Sequence, residues 1–179
     1  GQLEAGQVER AIAYLEQLDR SLQTVDTLLK TGNVTVDAIL SAKLAQARAA
    51  GIAALLQARC EKLTDIPEKV DFFDALPDYD VEFFTNKKSK TNAEVSKAML
   101  EAAIPALEGI GDWTADAVHD TLIALAEHLG VKNATLMWPV RIAAAGKAVT
   151  PGGAVEICHI LGKDECLRRL RLGLDKLGG

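Results

Sequence analysis

Aromatic residues are scarce in this sequence. They make up 4% of its 179 residues, and no segment alternates between polar and apolar side chains as a strand does. Strands are enriched in aromatic and β-branched residues, so this scarcity argues against a sheet. Hydrophobic residues make up 49% and charged residues 25%, as in folded globular proteins. Apolar residues recur every three or four positions, as from Val8 to Leu29, which is the spacing of an amphipathic helix. The sequence therefore predicts an all-α fold.

Long hydrophobic runs are also missing, since none approaches the roughly 20 residues of a membrane-spanning helix. Residues 1–20 contain no signal-peptide core. The three cysteines, Cys60, Cys158 and Cys166, are odd in number and match no zinc-binding spacing, so we expect buried, reduced thiols. These absences predict a cytoplasmic protein without a membrane partner. The sequence begins with Gly1 rather than Met, which we interpret as the start of a piece excised from a longer protein.

Enzyme motifs are absent as well. The sequence has no glycine-rich phosphate loop, no dinucleotide-binding fingerprint and no His-Glu-x-x-His. None of the histidines (His119, His128, His159) has a cysteine or carboxylate at the spacing of a metal site or a catalytic triad. The segment Lys87–Lys90 is superficially similar to the signature loop of class I synthetases, but no ATP-binding domain surrounds it. We therefore predict no catalytic residue, no metal and no cofactor in this chain.

Two small helical lobes are expected from the distribution of helix starts and stops. Residues 74–92 contain Pro77 and polar residues without a sustained period, which is typical of a connection between lobes. We predict a first lobe at 1–80, a linker at 81–92 and a second lobe at 93–179. The predicted helices span about 7–30 and 35–59, a short helix that ends near Phe73, and then 92–108, 113–129, 134–145, 152–161 and 164–177.

The net charge of −5 argues against indiscriminate binding of nucleic acid, but the charges are unevenly distributed. Residues 1–80 carry 8 basic and 13 acidic side chains, whereas residues 81–179 carry 12 of each. The basic residues of the second half include two clusters: Lys87, Lys88 and Lys90, and then Arg168, Arg169 and Arg171. Such clusters allow local binding of RNA. We predict phosphate contacts from the three lysines, with a merely solvated loop as the alternative.

The most specific segment is Leu136–Gly146, in which Pro139 interrupts an apolar, alanine-rich run and Arg141 follows. Spacing alone leaves two interpretations of Arg141 open. Its stem covers apolar surface while its head reaches water, or its guanidinium is held rigidly to contact a phosphate or a base edge. The turn at Thr150–Gly153 either caps the following helix or exposes backbone N–H and C=O groups against which unpaired RNA bases are read.

These segments, taken in order, resemble the C-terminal end of bacterial-type glutamyl-tRNA synthetases. The resemblance covers roughly residues 45–177, and the first 40 residues match less clearly. The motifs that carry it are Leu55–Arg59, Leu63–Pro67, Phe72 with Phe73, Leu136–Gly146, Thr150–Gly153, Ile160–Glu165 and Arg168–Leu170. In that family this region is a pair of helical domains that hold the anticodon loop of tRNA. A separate N-terminal domain forms the glutamyl-adenylate.

The resemblance also implies roles for individual residues. Arg59 matches an arginine that reads the third anticodon letter, a cytosine in glutamate tRNAs. Arg141 and the run Thr150-Pro151-Gly152 match residues that face the first two letters. Gly153, which we include in the anticodon site, departs from members that carry a bulky apolar side chain at that point, so it lacks the group that stacking would need.

The partners implied by the resemblance are glutamate tRNA and the catalytic domain of the same enzyme. Glutamine tRNA is a further partner where the parent enzyme does not discriminate. The parent would use ATP and Mg²⁺ to ligate glutamate to tRNA. This chain, which we expect to be a monomer, would carry out no chemistry itself.

A rival hypothesis is a helical protein–protein interaction module that holds a partner helix in its Ala/Leu grooves. It predicts that Arg59 and Arg141 are scattered surface or packing residues. The RNA-binding hypothesis predicts that both arginines and the Thr150–Gly153 turn lie on one face.

Overall fold

The structure, a computed structural model, describes residues 48–55 and 66–178. The chain forms two compact units, residues 1–74 and 75–179. In the described part of the first unit, residues 48–55 are helical and helix α1 spans Ile66–Asp74. The Arg48 guanidinium donates a hydrogen bond to the carbonyl oxygen of Phe73. The rings of Phe72 and Phe73 are both buried, with their centroids 4.2 Å apart.

The second unit consists of helices joined by short turns. A 3₁₀ helix at Val81–Phe84 is followed by α2 (Ala93–Glu108), α3 (Ala115–His128), α4 (Asn133–Ala145), α5 (Ala154–Leu161) and α6 (Lys163–Gly178). The described residues contain no strand. Asn86 and Thr91 form an isolated antiparallel β-bridge. The all-α prediction is confirmed, and these helices begin and end close to the predicted positions.

Side chains or a glycine cap several helix ends in the second unit. The Asn92 side chain accepts a hydrogen bond from the Val95 N–H at the start of α2, and the Thr114 side chain accepts one from the Ala117 N–H at the start of α3. Gly146 ends α4 with a φ of +64°. Glycine adopts this left-handed conformation without steric cost.

Helix α4 lies at the centre of the second unit, where it contacts α2, α3, α5, α6 and the 3₁₀ helix. The largest fully buried apolar side chains of this unit are Phe84, Leu100, Leu107, Val118, Leu122, Leu136, Ile142, Ile157 and Leu170. Burial of each such side chain contributes roughly 1.5–3 kcal/mol relative to exposure. These neighbours cover most of α4. The side chains in the middle of the helix that stay half-exposed are Met137, Trp138 and Arg141.

The two compact units divide after Asp74 rather than at residue 80, and residues 81–92 belong to the second unit instead of forming a linker. Phe84 is fully buried, and its carbonyl oxygen accepts a hydrogen bond from Ser96 Oγ at 3.1 Å. The ring of Tyr79, also buried, lies 5.9 Å from that of Phe84. Single buried aromatic residues, rather than a regular apolar face, hold this part of the chain in the second unit. Its sequence therefore lacks the apolar periodicity of a packed helix.

Candidate nucleic-acid interface

Arg141 is bound to the turn that follows α4. Its Nη1 donates to Thr150 Oγ1 at 2.7 Å, and its Nη2 donates to the carbonyl oxygen of Ala148 at 3.0 Å. Thr150 Oγ1 in turn donates to the carbonyl oxygen of Gly152 at 2.7 Å. Arg141 and residues Thr150–Gly153 (the glycine turn) therefore form one hydrogen-bonded unit.

The indole ring of Trp138 covers one face of the Arg141 guanidinium, with Arg141 Cζ 4.5 Å from the ring centroid. At this distance a cation and an aromatic ring attract each other. Trp138 Nε1 also donates to the carbonyl oxygen of Phe83 at 2.9 Å, which links α4 to the 3₁₀ helix. The sequence-based site did not include Trp138. The signal that could have found it is its spacing of three residues from Arg141 on a predicted helix, which places the two on one face.

The Arg141 guanidinium is partly removed from water. Burial lowers the pKa of Arg141, although a guanidinium stays protonated at neutral pH. Its bonds to Thr150 and Ala148 use two of the five N–H groups that an arginine carries. The guanidinium is held rigidly, because its head is bonded to protein, and its contact with a phosphate or a base edge stays a prediction.

The glycine turn is more enclosed than expected. Pro151 and Gly152 are buried, and Thr150 and Gly153 are half-buried. The Gly152 carbonyl accepts from Thr150, and the Gly153 N–H donates to Glu156 Oε2 at 3.1 Å. The expectation of a freely exposed backbone is therefore wrong for these two groups, which have partners inside the protein. The enclosure makes the turn a rigid support for Arg141.

The three lysines predicted to contact phosphates lie in a closed turn, Asn86–Thr91 (the lysine turn). Asn86 and Thr91 exchange two backbone hydrogen bonds of 3.0 Å. Thr135 Oγ1 on α4 donates to the carbonyl oxygen of Ser89 at 2.8 Å, which attaches the turn to the helix that carries Arg141. The exposed lysines are Lys87, Lys88 and Lys90. Lys90 has a φ of +55°, a conformation that costs a non-glycine residue about 1–2 kcal/mol.

The second basic cluster of the sequence does not present a free basic surface. Arg169 is 1% exposed and donates to Glu165 Oε1 at 2.6 Å. Arg168 donates to both carboxylate oxygens of Glu165, at 2.7 and 2.8 Å, and Arg171 pairs with Glu108. These three guanidiniums hold α6 together internally or join it to α2 and α4, which the sequence clustering alone did not reveal.

The remaining candidate groups of the sequence are its cysteines and histidines. Cys158 and Cys166 are buried free thiols, as predicted, and the hydrogen bond that the Cys158 thiol donates to Cys166, together with burial, raises the pKa of Cys158. The three histidines are exposed. In the part of the chain that the structure describes, no three or more His, Cys, Asp or Glu side chains gather as a metal site would require. No helix there combines the length and apolarity needed to cross a membrane.

Arg141, the glycine turn and the lysine turn are thus brought together around α4. Arg59, Cys60 and the predicted helices before residue 48 lie outside the described residues, and so does the predicted common face of Arg59 and Arg141.

The arrangement combines exposed lysines, which suit phosphates, with an oriented arginine, which suits a base edge, and proteins that bind unpaired RNA use both kinds of contact. The match to known families agrees with it. The chain belongs to the anticodon-binding domain family, whose family model matches residues 8–174.

Curated proteins similar to this chain include glutamate–tRNA ligases from clostridia. The ligase of Clostridium acetobutylicum is 50% identical over 126 residues, which cover 70% of this chain and 26% of that protein. The ligase of Clostridium novyi is 51% identical over 122 residues, with coverages of 68% and 25%. The chain therefore spans about a quarter of the length of the curated relatives it matches.

Similar solved structures show the shared fold. A glutamate tRNA ligase from Elizabethkingia meningosepticum, in complex with its amino acid, aligns with a TM-score of 0.65 and 17% identity, covering 93% of this chain and 30% of that one. The glutamate–tRNA synthetase of Elizabethkingia anophelis aligns with a TM-score of 0.60 and 17% identity, covering 92% and 28%.

Proposed function

We propose that this chain recognises the anticodon loop of glutamate tRNA as the anticodon-binding region of a glutamate–tRNA ligase. The observation that carries the proposal is the unit of Arg141 and the glycine turn, which lies against Trp138 on the helix that also holds the lysine turn. Membership of the anticodon-binding family and the similarity to clostridial ligases support it.

Recognition of the first two anticodon letters rests on Arg141 and the glycine turn. An arginine in a fixed orientation discriminates between base edges, because a wrong base leaves a desolvated donor without a partner. Arg141 has N–H groups beyond the two that bind protein, and these donate to the bases. At the third letter, Arg59 donates to the carbonyl oxygen of cytosine, where guanine presents a different edge.

The catalytic domain of the parent enzyme, which uses ATP and Mg²⁺ to ligate glutamate to tRNA, provides most of the affinity. Counterion release from phosphate contacts supplies most non-specific binding to nucleic acid. A region with a net charge of −5 gains little from this effect beyond its lysine turn. It therefore contributes specificity rather than strength.

The test is the binding of the whole chain at low salt to two anticodon stem-loops that differ only in the third letter, cytosine or guanine. We expect a preference for cytosine, and we expect Arg59→Ala to abolish it, since a lost base contact is worth about 1–3 kcal/mol. The control variant is Arg171→Ala. It removes an exposed arginine that pairs with Glu108 and should leave the preference unchanged.

If the chain binds both loops equally, the same assay is repeated with the full-length parent, in which the catalytic domain presents the RNA. If the parent also fails to distinguish the loops, the proposed function is wrong, and the helical protein–protein module becomes the better hypothesis.

A further inference from the structure

Four groups from three segments of the second unit form one continuous series of contacts. The carbonyl oxygen of Phe83 accepts from Trp138 Nε1, the Trp138 ring lies against the Arg141 guanidinium, and that guanidinium donates to Thr150 Oγ1. We propose that Trp138 is a positioning residue that fixes the plane of the Arg141 guanidinium and so sets selectivity at the first two anticodon letters. The selectivity part of this inference rests on the proposed function.

The hydrogen bonds of Arg141 do not by themselves fix its plane. Both bonds that hold its head, to Thr150 and to Ala148, are made by the terminal nitrogens. Because the side chain is flexible, the guanidinium plane can still tilt about the line that joins the two acceptor oxygens. A ring 4.5 Å from Cζ closes one face of the guanidinium, so tilting toward that face is blocked.

Trp138 is itself held in place from another segment. Its Nε1–H bonds to the Phe83 carbonyl at 2.9 Å, and the next residue, Phe84, is fully buried. The indole is half-exposed, so filling the core does not account for it. Among the apolar side chains only tryptophan combines a large ring with an N–H donor, and both parts are used here.

The second tryptophan of the chain provides a matched comparison. Trp113 Nε1 also donates to a backbone carbonyl, that of Cys158 at 3.1 Å. The cation–ring contacts found among the described residues are those of Arg141 with Trp138 and of Lys176 with Tyr79, so Trp113 is anchored without holding a cation. Substitution of Trp113 therefore controls for the loss of an anchored indole alone.

The first test needs no RNA. In the free chain, NMR should show the Arg141 Nε–Hε signal displaced by the ring current of Trp138. We expect Trp138→Leu to abolish this displacement, Trp138→Phe to keep part of it because a ring remains, and Trp113→Phe to leave it unchanged. Circular dichroism confirms that each variant is folded. An Arg141 signal that is the same in Trp138→Leu and in the original chain would overturn the positioning role.

The second test separates positioning from direct contact by a double-mutant cycle. Stem-loops that differ at the first two letters are bound by the chain or, where binding is too weak, by the full-length parent. Trp138→Leu should reduce the discrimination ratio about threefold to tenfold, and Trp138→Phe should restore part of it. In an Arg141→Ala background, Trp138→Leu should cause no further loss.

Fully additive losses in this cycle would show that Trp138 acts independently of Arg141 and would overturn the proposal. A parent enzyme that shows no preference at either letter would instead refute the proposed function and the selectivity part of this inference. The displaced Arg141 signal, measured without RNA, still decides the positioning part.

Discussion

Arg169 shows at the scale of single residues that neighbours decide what a charge does. The sequence places it in a basic run, yet its guanidinium is almost fully buried, where it donates to Glu165 and to the carbonyl oxygen of Ala144 at 2.9 Å. A buried arginine needs such partners, because an unpaired buried charge is strongly destabilising. Arg169 is therefore part of the packing between α6 and the end of α4, and no phosphate can replace its carboxylate without breaking that packing.

The carboxyl group of Glu165 should make stability depend on acid pH. Its partial burial alone would raise its pKa, but hydrogen bonds from Arg168 and Arg169 outweigh this and lower the pKa to about 2, from an ordinary value of 4.5. A pKa lower in the folded than in the unfolded chain stabilises the fold above the unfolded value. We expect this contribution to be complete above pH 4.5 and to be lost as the pH falls toward about 2.

Urea unfolding at a series of pH values would measure this effect. In Glu165→Gln, which cannot ionise, the free energy of unfolding should be lower near neutral pH and should fall less steeply between about pH 4.5 and 2. Parallel curves for the two proteins would contradict the assignment.

At the scale of elements, the periodicity of apolar residues and the helix start and stop signals were sufficient to predict the helices of the second unit. Asn92 and Gly146 act locally, within a turn of the helix ends they cap, so such signals can be read from the sequence. The close approach of α6 to α4 was not predictable in the same way. It depends on Gly173, where an added Cβ would lie 2.6 Å from Ala143 Cβ, and such a contact involves residues far apart in the sequence.

Replacement of Gly173 by alanine should therefore destabilise the protein. Overpacking of this kind costs typically 1–3 kcal/mol, which exceeds the roughly 1 kcal/mol that alanine gains over glycine inside a helix. The matched control is Gly178→Ala in the same helix, where the added Cβ would meet only Lys97 Nζ at 3.7 Å. We expect thermal unfolding to shift to lower temperature for Gly173→Ala and to stay level or rise for Gly178→Ala. A stabilised Gly173→Ala variant would show that α4 and α6 do not pack this closely.

At the scale of the whole molecule, the distribution of charge matters more than its sum. The net charge is −5, and the arginines of α6 are paired within the protein. The lysine turn differs, because its three side chains are exposed and its backbone is fixed to α4 through Thr135. Binding of RNA should depend on salt through these few lysines.

Simultaneous replacement of Lys87, Lys88 and Lys90 by alanine should make stem-loop binding less sensitive to salt. The slope of log K against log salt concentration is negative, and each lost phosphate contact reduces its magnitude by about 0.7–0.9. Loss of all three contacts should reduce the magnitude by up to about 2–3. The preference among anticodon letters should not change, because phosphate contacts carry no sequence information. Arg168→Ala, which removes a guanidinium already bound to Glu165, should leave the slope unaltered. An unchanged slope in the triple variant would mean that the lysine turn is only solvated.

The sequence by itself determined what depends on short-range physics. Apolar periodicity specified an all-α fold, local capping residues specified the helix ends, and ordered motifs specified the family. The tertiary structure alone decided which charges are free and which are paired. It joined Arg141 to the glycine turn, enclosed the backbone that the sequence left open, buried Arg169 and placed residues 81–92 within the second unit. The physical reason is that burial, ion pairing and orientation arise between residues distant along the chain, where their spacing in the sequence carries no signal.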